Sequence, residues 1–363
     1  MKKGIYGLMI ILLFQLASAS TSWPGSSDYT EIGSGLPASF EVSALFYNPE
    51  NNKVFTVSDS GIISYMNIDG SSVVNYYLSG DYEGVTFANL SSNYVYIGIE
   101  NPDSIVEFDT STGRLTGKSW SLTSWMASSS ANLGLEGLTF VPNGYHYYST
   151  GRSGGLFLAA LQENGVIYVF NVDTSTSGSV SYVTSFTPVA GRTDISDLYF
   201  DRTTAILYVL YDSSNTLVEM KMNGTILNDY LIPGSDQEGI SIITSCPETT
   251  ATILIGQDYG NSILAYTDYP EICPEIDSDG DLLSDSVEVT YGTDPNDADS
   301  DNDLLNDWEE IFRYSTDPND SDSDNGGRSD YREVTTDATN PNNASDDKVL
   351  SIRRIRSPFF RIS

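Results

Sequence analysis

One short motif returns five times along the chain and narrows its fold more than any other feature. Val42-Ser43-Ala44-Leu45-Phe46, Tyr82-Glu83-Gly84-Val85-Thr86-Phe87, Leu135-Glu136-Gly137-Leu138-Thr139-Phe140, Ile195-Ser196-Asp197-Leu198-Tyr199-Phe200 and Gln237-Glu238-Gly239-Ile240-Ser241-Ile242 open alike. Their Ser/Glu positions, from Ser43 to Glu238, lie 40, 53, 60 and 42 residues apart. A β-rich run follows each opening, at 54–57, 94–99, 156–161, 207–211 and 253–255. A second run follows after a short turn, at 62–68, 105–108, 166–172, 216–222 and 262–266. A small sheet of this kind buries its faces only against copies of itself, so several strands per unit at this period predict β-propeller blades. No segment shows a long helical period. The expected fold class is all-β: a propeller of five blades, or six if the long third unit hides another, followed by a small calcium-stabilised, loop-rich repeat domain. The last unit lacks an outer strand, and residues 29–32 are placed to supply it and close the ring.

The D-x-E-G-[VIL] starts, and hairpins that end in Asp or Glu, resemble the SdiA-regulated propeller family and, more distantly, the esterase-like phytase propellers. The likeness covers about residues 30–270. The phytase-like branch implies a second possible activity, calcium-dependent hydrolysis of phosphate or carboxylic esters.

Aligning the units exposes two columns of acids. The first stands where the opening strand begins and contains Glu41, Asp81, Asp194 and Asp236, with Glu83, Glu136 and Glu238 two residues further on. The second is the turn between the second and third strands, with Asp59, Glu100, Glu163, Asp212 and Asp258. In a propeller both columns lie on one face, and the first strand lines the channel. Asp and Asn in turns are accounted for by hydrogen bonds to their own backbone. Glu is a poor turn former, however, and crowded like charges repel unless protonated or offset by a cation. This face is therefore expected to bind Ca²⁺ or a cationic ligand.

The strongest signal lies after Cys273. Asp277, Asp279, Asp281, Asp285 and Glu288 occupy positions 1, 3, 5, 9 and 12 of a loop. Asp299, Asp301, Asp303, Asp307 and Glu310 repeat this 22 residues later, and Asp322, Asp324, Asp330 and Glu333 repeat it after 23 more. A Thr-Asp-Pro-Asn or Thr-Asn-Pro-Asn turn follows each loop. Alternating acids let one loop wrap a single ion, and oxygen ligands at this density suit Ca²⁺ over softer metals. The pattern resembles the thrombospondin type 3 repeat, whose loop is EF-hand-like. That resemblance implies the named acids as ligands, with the carbonyls of Leu283, Leu305 and Arg328 at position 7. Position 6 favours Gly because the backbone turns there with positive φ, yet Leu282 and Leu304 stand in two of the loops. The third loop has Gly327 there, but Gly326 replaces the position-5 ligand.

The rest of the chain sets the context. Lys2 and Lys3, an apolar stretch over 5–16 and Ala17-Ser18-Ala19 read as a signal peptide over 1–19. The expected divisions are then the propeller at 20–273, the calcium repeats at 274–348 and a basic tail at 349–363. An exported chain favours a disulfide between Cys246 and Cys273, which typically stabilises by ~3 kcal/mol. The expected location is secreted or cell-surface, periplasmic in a Gram-negative source. No later stretch is long and apolar enough for a membrane span. Fifty acids against 17 bases, a net charge of −33, exclude an ordinary nucleic-acid binder. The lone His146 argues against His-rich zinc or haem sites and a Ser-His-Asp triad. The tail carries Arg353, Arg354, Arg356 and Arg361 and suits weak contact with an anionic surface.

Two function classes follow. One is a non-enzymatic calcium-binding protein whose propeller recognises an extracellular protein, glycan or small molecule, with the repeats as spacer. The other is a calcium-dependent phosphatase or esterase with unassigned catalytic residues. The propeller's few bases, Lys53, Arg114, Lys118, Arg152, Arg192, Arg202 and Lys221, lie outside the acidic columns. That scarcity favours binding over turnover of an anionic substrate.

Overall fold

A computed structural model describes residues 20–126, 128–130, 132–145, 154–245, 250–270, 277–283 and 285–347. The chain forms two compact units, divided between Cys273 and Pro274. The signal peptide, Cys246, Cys273, His146, Arg152 and the basic tail lie outside the described residues.

The first unit is a five-bladed propeller of five four-stranded antiparallel sheets. Blade one holds β2 (Ala44–Asn48), β3 (Lys53–Ser58), β4 (Ile62–Asn67) and β5 (Val74–Tyr77). Blade two holds β6 (Tyr82–Thr86), β7 (Tyr94–Ile99), β8 (Ser104–Asp109) and β9 (Arg114–Ser121). Blade three holds β10 (Leu135–Pro142), β11 (Gly155–Leu161), β12 (Val166–Val172) and β13 (Val180–Phe186). Blade four holds β14 (Ile195–Asp201), β15 (Ile206–Tyr211), β16 (Thr216–Lys221) and β17 (Ile226–Leu231). Blade five holds β18 (Gln237–Ile243), β19 (Thr250–Gln257) and β20 (Ile263–Pro270), and its fourth strand is β1 (Thr30–Glu31). β1 pairs with β20 through Thr30 opposite Ala265 and Glu31 opposite Leu264, so the start of the propeller completes its last blade. Among the described residues the long third unit holds no sixth blade.

Burial falls from the axis outwards. The opening strands β2, β6 and β14 are buried along their whole length, whereas β9 is largely exposed. An inner strand has neighbours on both faces and along the channel, so it is apolar or small at nearly every position. The aromatic core between blades includes Phe46, Phe55 and Phe87, with ring centroids 4.9–5.3 Å apart.

Four opening strands share one irregularity. Their register shifts between Tyr82 and Gly84, Leu135 and Gly137, Ile195 and Asp197, and Gln237 and Gly239. Such a bulge re-aims a side chain at the strand end. The re-aimed residues are Glu83, Glu136, Ser196 and Glu238. The next residue faces the crowded axis. A Cβ on Gly137 would lie 3.0 Å from the backbone of Asp197, which explains the small residue there.

The second unit is built from loops and short helices: α1 (Asp285–Tyr291), α2 (Glu309–Tyr314, wound as a π-helix) and α3 (Asp330–Arg332, continuing as a π turn over Glu333–Asp337). Gly292, Ser315 and Ala338 end them in the left-handed conformation, with φ of 79°, 58° and 52°. Among the described residues, no helix of either unit is long and apolar enough to cross a membrane.

Candidate metal centres

The propeller gathers most of its acidic columns around the channel mouth. Glu83 and Glu136 are buried and Glu238 is half-buried. Burial first, then Asp81 beside it, pushes the Glu83 carboxyl up to about 8. Burial, then Asp212 and Asp258, pushes Glu238 up to about 9. Glu136 is held well above the usual carboxylate range by burial, then by Glu83 and Glu238. Glu100 rises to about 7 through burial, with Asp81 and Asp103 adding to it. Repulsion from Asp59, then burial and Asp258, raises the exposed Glu41. Burial, with Asp194 and Asp236 nearby, raises Asp212, and burial, with Asp59 and Asp236 nearby, raises Asp258. These groups thus form one like-charged network that favours either protons or a cation.

Glu163 stands apart. Its carboxylate accepts the Ser129 N–H at 2.7 Å, and bonds to Ser129 hold it below the usual range. It serves the turn and does not join the channel network.

The alignment of columns missed the residue at the centre of the ring. Asp197 is fully buried where the other openings have Gly or Ala. Its carboxylate accepts the N–H groups of Leu45 at 3.2 Å, Ile240 at 2.9 Å and Leu198 at 2.7 Å. One side chain therefore ties together the inner strands of blades one, four and five. Burial pushes this carboxyl up, against the pull of the three amides. Similarly, Asp103 accepts the Leu135 N–H at 2.9 Å, and Glu100 accepts the Gly134 N–H at 2.9 Å, so both brace blade three.

Among the propeller's described bases, Lys118, Arg192 and Arg202 have partners of their own. Lys118 pairs with Glu107 at 3.1 Å. Arg192 pairs with Asp229 at 2.9 Å and lies over the Tyr211 ring. Arg202 donates to the Phe87 carbonyl and covers the Phe140 ring.

In the C-terminal loops the acids first organise the backbone. The position-1 carboxylates of Asp277, Asp299 and Asp322 accept the position-6 N–H of Leu282, Leu304 and Gly327 at 3.1, 2.9 and 2.8 Å. Leu282 and Leu304 adopt the left-handed conformation that suits Gly, with φ of 85° and 87°. Their side chains point outward while Leu283 and Leu305 are buried. The position-9 acids Asp285, Asp307 and Asp330 each bond the N–H and hydroxyl of the position-2 serine, Ser278, Ser300 and Ser323. They brace the loop, while other oxygens converge.

Those convergent oxygens belong to Asp277, Asp279 and Asp281; to Asp299, Asp301 and Asp303; and to Asp322, Asp324 and Glu333. Within each group the ligand atoms all lie within 4.8 Å of one another. Among the described residues, such groups occur only in the second unit. Position 12 completes the arrangement. Glu288, Glu310 and Glu333 are wholly buried, and both carboxylate oxygens of Glu288 and Glu333 lack a hydrogen-bond partner. Oε2 of Glu310 and Oδ2 of Asp279, Asp301 and Asp324 are likewise buried without one. Buried carboxylate oxygens without donors are costly unless a cation takes their place, and this hard-oxygen set fits Ca²⁺.

The repeats also interlock. Position 5 of one loop reaches the next repeat: Asp281 accepts the Trp308 N–H at 3.1 Å, and Asp303 accepts the Tyr331 N–H at 2.7 Å. Asn319 and Asn342 donate back to the carbonyls of Tyr291 and Tyr314, each 28 residues earlier.

Comparison with known proteins bears on both units. A phytase-like family, described as having the esterase-like activity of phytase, matches residues 40–222, half of the chain. The bacterial TSP3 repeat matches residues 277–298. No curated protein matches the chain. Similar solved structures include the glutaminyl cyclase of Myxococcus xanthus, 10% identical with a TM-score of 0.45, over 64% of this chain and 93% of that one. Another is the hydrazine synthase of Kuenenia stuttgartiensis, 12% identical with a TM-score of 0.37, over 64% of this chain and 58% of that one.

Proposed function

The chain belongs to the phytase-like family, and from that premise we propose that it is an exported calcium-binding protein whose propeller carries a ligand-recognition face and whose C-terminal repeats form a calcium-stiffened spacer. The coarser part, a calcium-binding propeller protein, is supported by a phytase-like propeller and a TSP3 repeat in one chain. The observation that carries the finer part is the gathering of Glu83, Glu136 and Glu238 at the channel mouth, each held above its usual range by burial and by neighbouring acids. A calcium ion, or a cationic group on an extracellular protein, glycan or small molecule, would relieve that repulsion. The proposal includes a leader over 1–19, a propeller over 20–273 with Cys246 joined to Cys273, repeats over 274–348 and a surface-contacting tail over 349–363. It places the protein outside the cytoplasm, secreted, at the cell surface or in a Gram-negative periplasm.

Calorimetric titration of the full chain with calcium tests this reading. Replacing Glu83, Glu136 and Glu238 together by Gln should remove one class of binding heat and leave that of the repeats. Superimposable titrations would defeat the channel-mouth site.

Family membership favours a second reading, ester hydrolysis on the same face. The channel-mouth glutamates would then hold calcium, which would neutralise an anionic substrate. The pairing of Lys118 and Arg192 with their own acids favours binding over this reading. Turnover of p-nitrophenyl esters or phosphates that needs calcium, and is lost in Glu136→Gln, would reverse the order.

A further inference from the structure

The third C-terminal loop lacks a position-5 ligand, because Gly326 stands where Asp281 and Asp303 stand in the other two. Its space is taken by another carboxylate. A Cβ on Gly326 would overlap Oδ2 of Asp347. Asp347 lies 14 residues beyond the end of the loop at Glu333. Glu333 thus belongs to two convergent groups, one with Asp322 and Asp324 and the other with Asp346 and Asp347. Glu333 is wholly buried, and neither of its carboxylate oxygens has a hydrogen-bond partner. The same holds for both carboxylate oxygens of Asp347 and for Oδ1 of Asp346, each of them buried.

The repeat explains how these residues arrive there. The turn residues Asp294 and Asp317 donate their N–H to Ser300 and Ser323, six residues on, at 3.0 and 2.7 Å. Asn340 does the same to Asp346 at 3.3 Å. Asp346 and Asp347 therefore stand at positions 2 and 3 of a fourth loop whose run of acids goes no further in the sequence. Val349, Arg353 and Arg356 stand where that stub would need acids at positions 5, 9 and 12, while a fifth-position acid is missing from the loop before it.

We infer that the third calcium site is composite: Asp322, Asp324 and Glu333 of the third loop are completed by Asp347, with Asp346 beside it, so that the truncated fourth repeat closes the site of the third. Bound calcium would clamp the end of the repeat array just ahead of the basic tail. The inference rests on reading the repeats as calcium loops, and goes beyond that reading by assigning two ligands outside any single loop.

Equilibrium dialysis of the full chain against ⁴⁵Ca tests it. Asp347→Ala should lose about one ion, or weaken one site about tenfold or more, and leave the first two loops unchanged. Gly326 lies outside the left-handed region, and once Asp347 is shortened a Cβ there lies 2.8 Å from Oδ1 of Asp324, the end of a side chain that can turn aside. The double variant Gly326→Asp/Asp347→Ala should therefore restore the site by returning the acid to position 5. Unchanged binding in Asp347→Ala overturns the inference, as does a loss that the double variant does not restore. Loss at all three loops also overturns it, because the segment would then support the whole array. A wild-type chain that binds no calcium would instead defeat the reading of the repeats themselves.

Discussion

The channel mouth of the propeller and the C-terminal loops are made from the same chemical group and differ in what holds it. On the propeller, strands and bulges fixed by a large apolar core carry Glu83, Glu136 and Glu238 to one place. Those carboxylates are raised by burial and mutual repulsion, and among the described residues none joins a tight group of three. In the loops there is little core, and the acids themselves shape the backbone. One oxygen of an acid such as Asp277 or Asp299 fixes an amide while neighbouring oxygens converge within 4.8 Å. The first region would fold without a cation and then tolerate one. In the second a cation would substitute for a core. The density of acids is therefore a weaker guide to metal dependence than what positions them.

Calcium removal should separate the regions most. A chelator should unfold the second unit, seen as proteolysis beyond residue 276, while propeller circular dichroism persists. Each site at a hundred times its Kd contributes about 2.7 kcal/mol, so millimolar calcium should restore protection. Simultaneous collapse of both units would break the comparison.

Asp197→Ala should do the reverse. It strips acceptors from the buried N–H groups of Leu45, Leu198 and Ile240, and should destabilise the propeller by about 2–4 kcal/mol. Chemical denaturation reads that loss, and calcium binding by the loops should be unaltered. Next in size, Glu288→Gln should weaken the first loop's affinity about tenfold, or about 1.4 kcal/mol, without moving the propeller's melting point. Normal calcium affinity in this variant would remove position 12 from the ligand set.

The smallest effect sharpens the propeller side. In chelator, Glu238 binds its proton more tightly folded than unfolded, since burial and the nearby acids raise it from 4.5 to about 9. The folded state is therefore favoured at low pH, and propeller stability should fall as pH rises between those values. Glu238→Gln should flatten that slope and raise the melting point at pH 8 by a few degrees, at about 2–4 °C per kcal/mol. An unchanged slope would show that the channel mouth is not under charge repulsion.

Much of this was legible in the chain. Five openings gave five blades, and residues 29–32 contained the strand that closes the ring, because blade patterning repeats at short range. The loop spacing marked Asp277, Asp279 and Asp281 and their counterparts for the same reason. Other roles were hidden. Glu163 shares a column with Glu100, yet it serves Ser129, because a column fixes height on the blade and not the direction of a side chain. The spacing marked position 9 as a ligand and did not show that its acid also bonds the serine at position 2.

The repeating units, their order and the residue types that face the channel or line a loop follow from spacing along the chain. That Asp197 joins three blades and that Asp347 fills the gap at Gly326 emerges from the folded chain. Both depend on residues far apart in sequence meeting in a space too small for a second side chain. Spacing carries no record of that exclusion; packing enforces it.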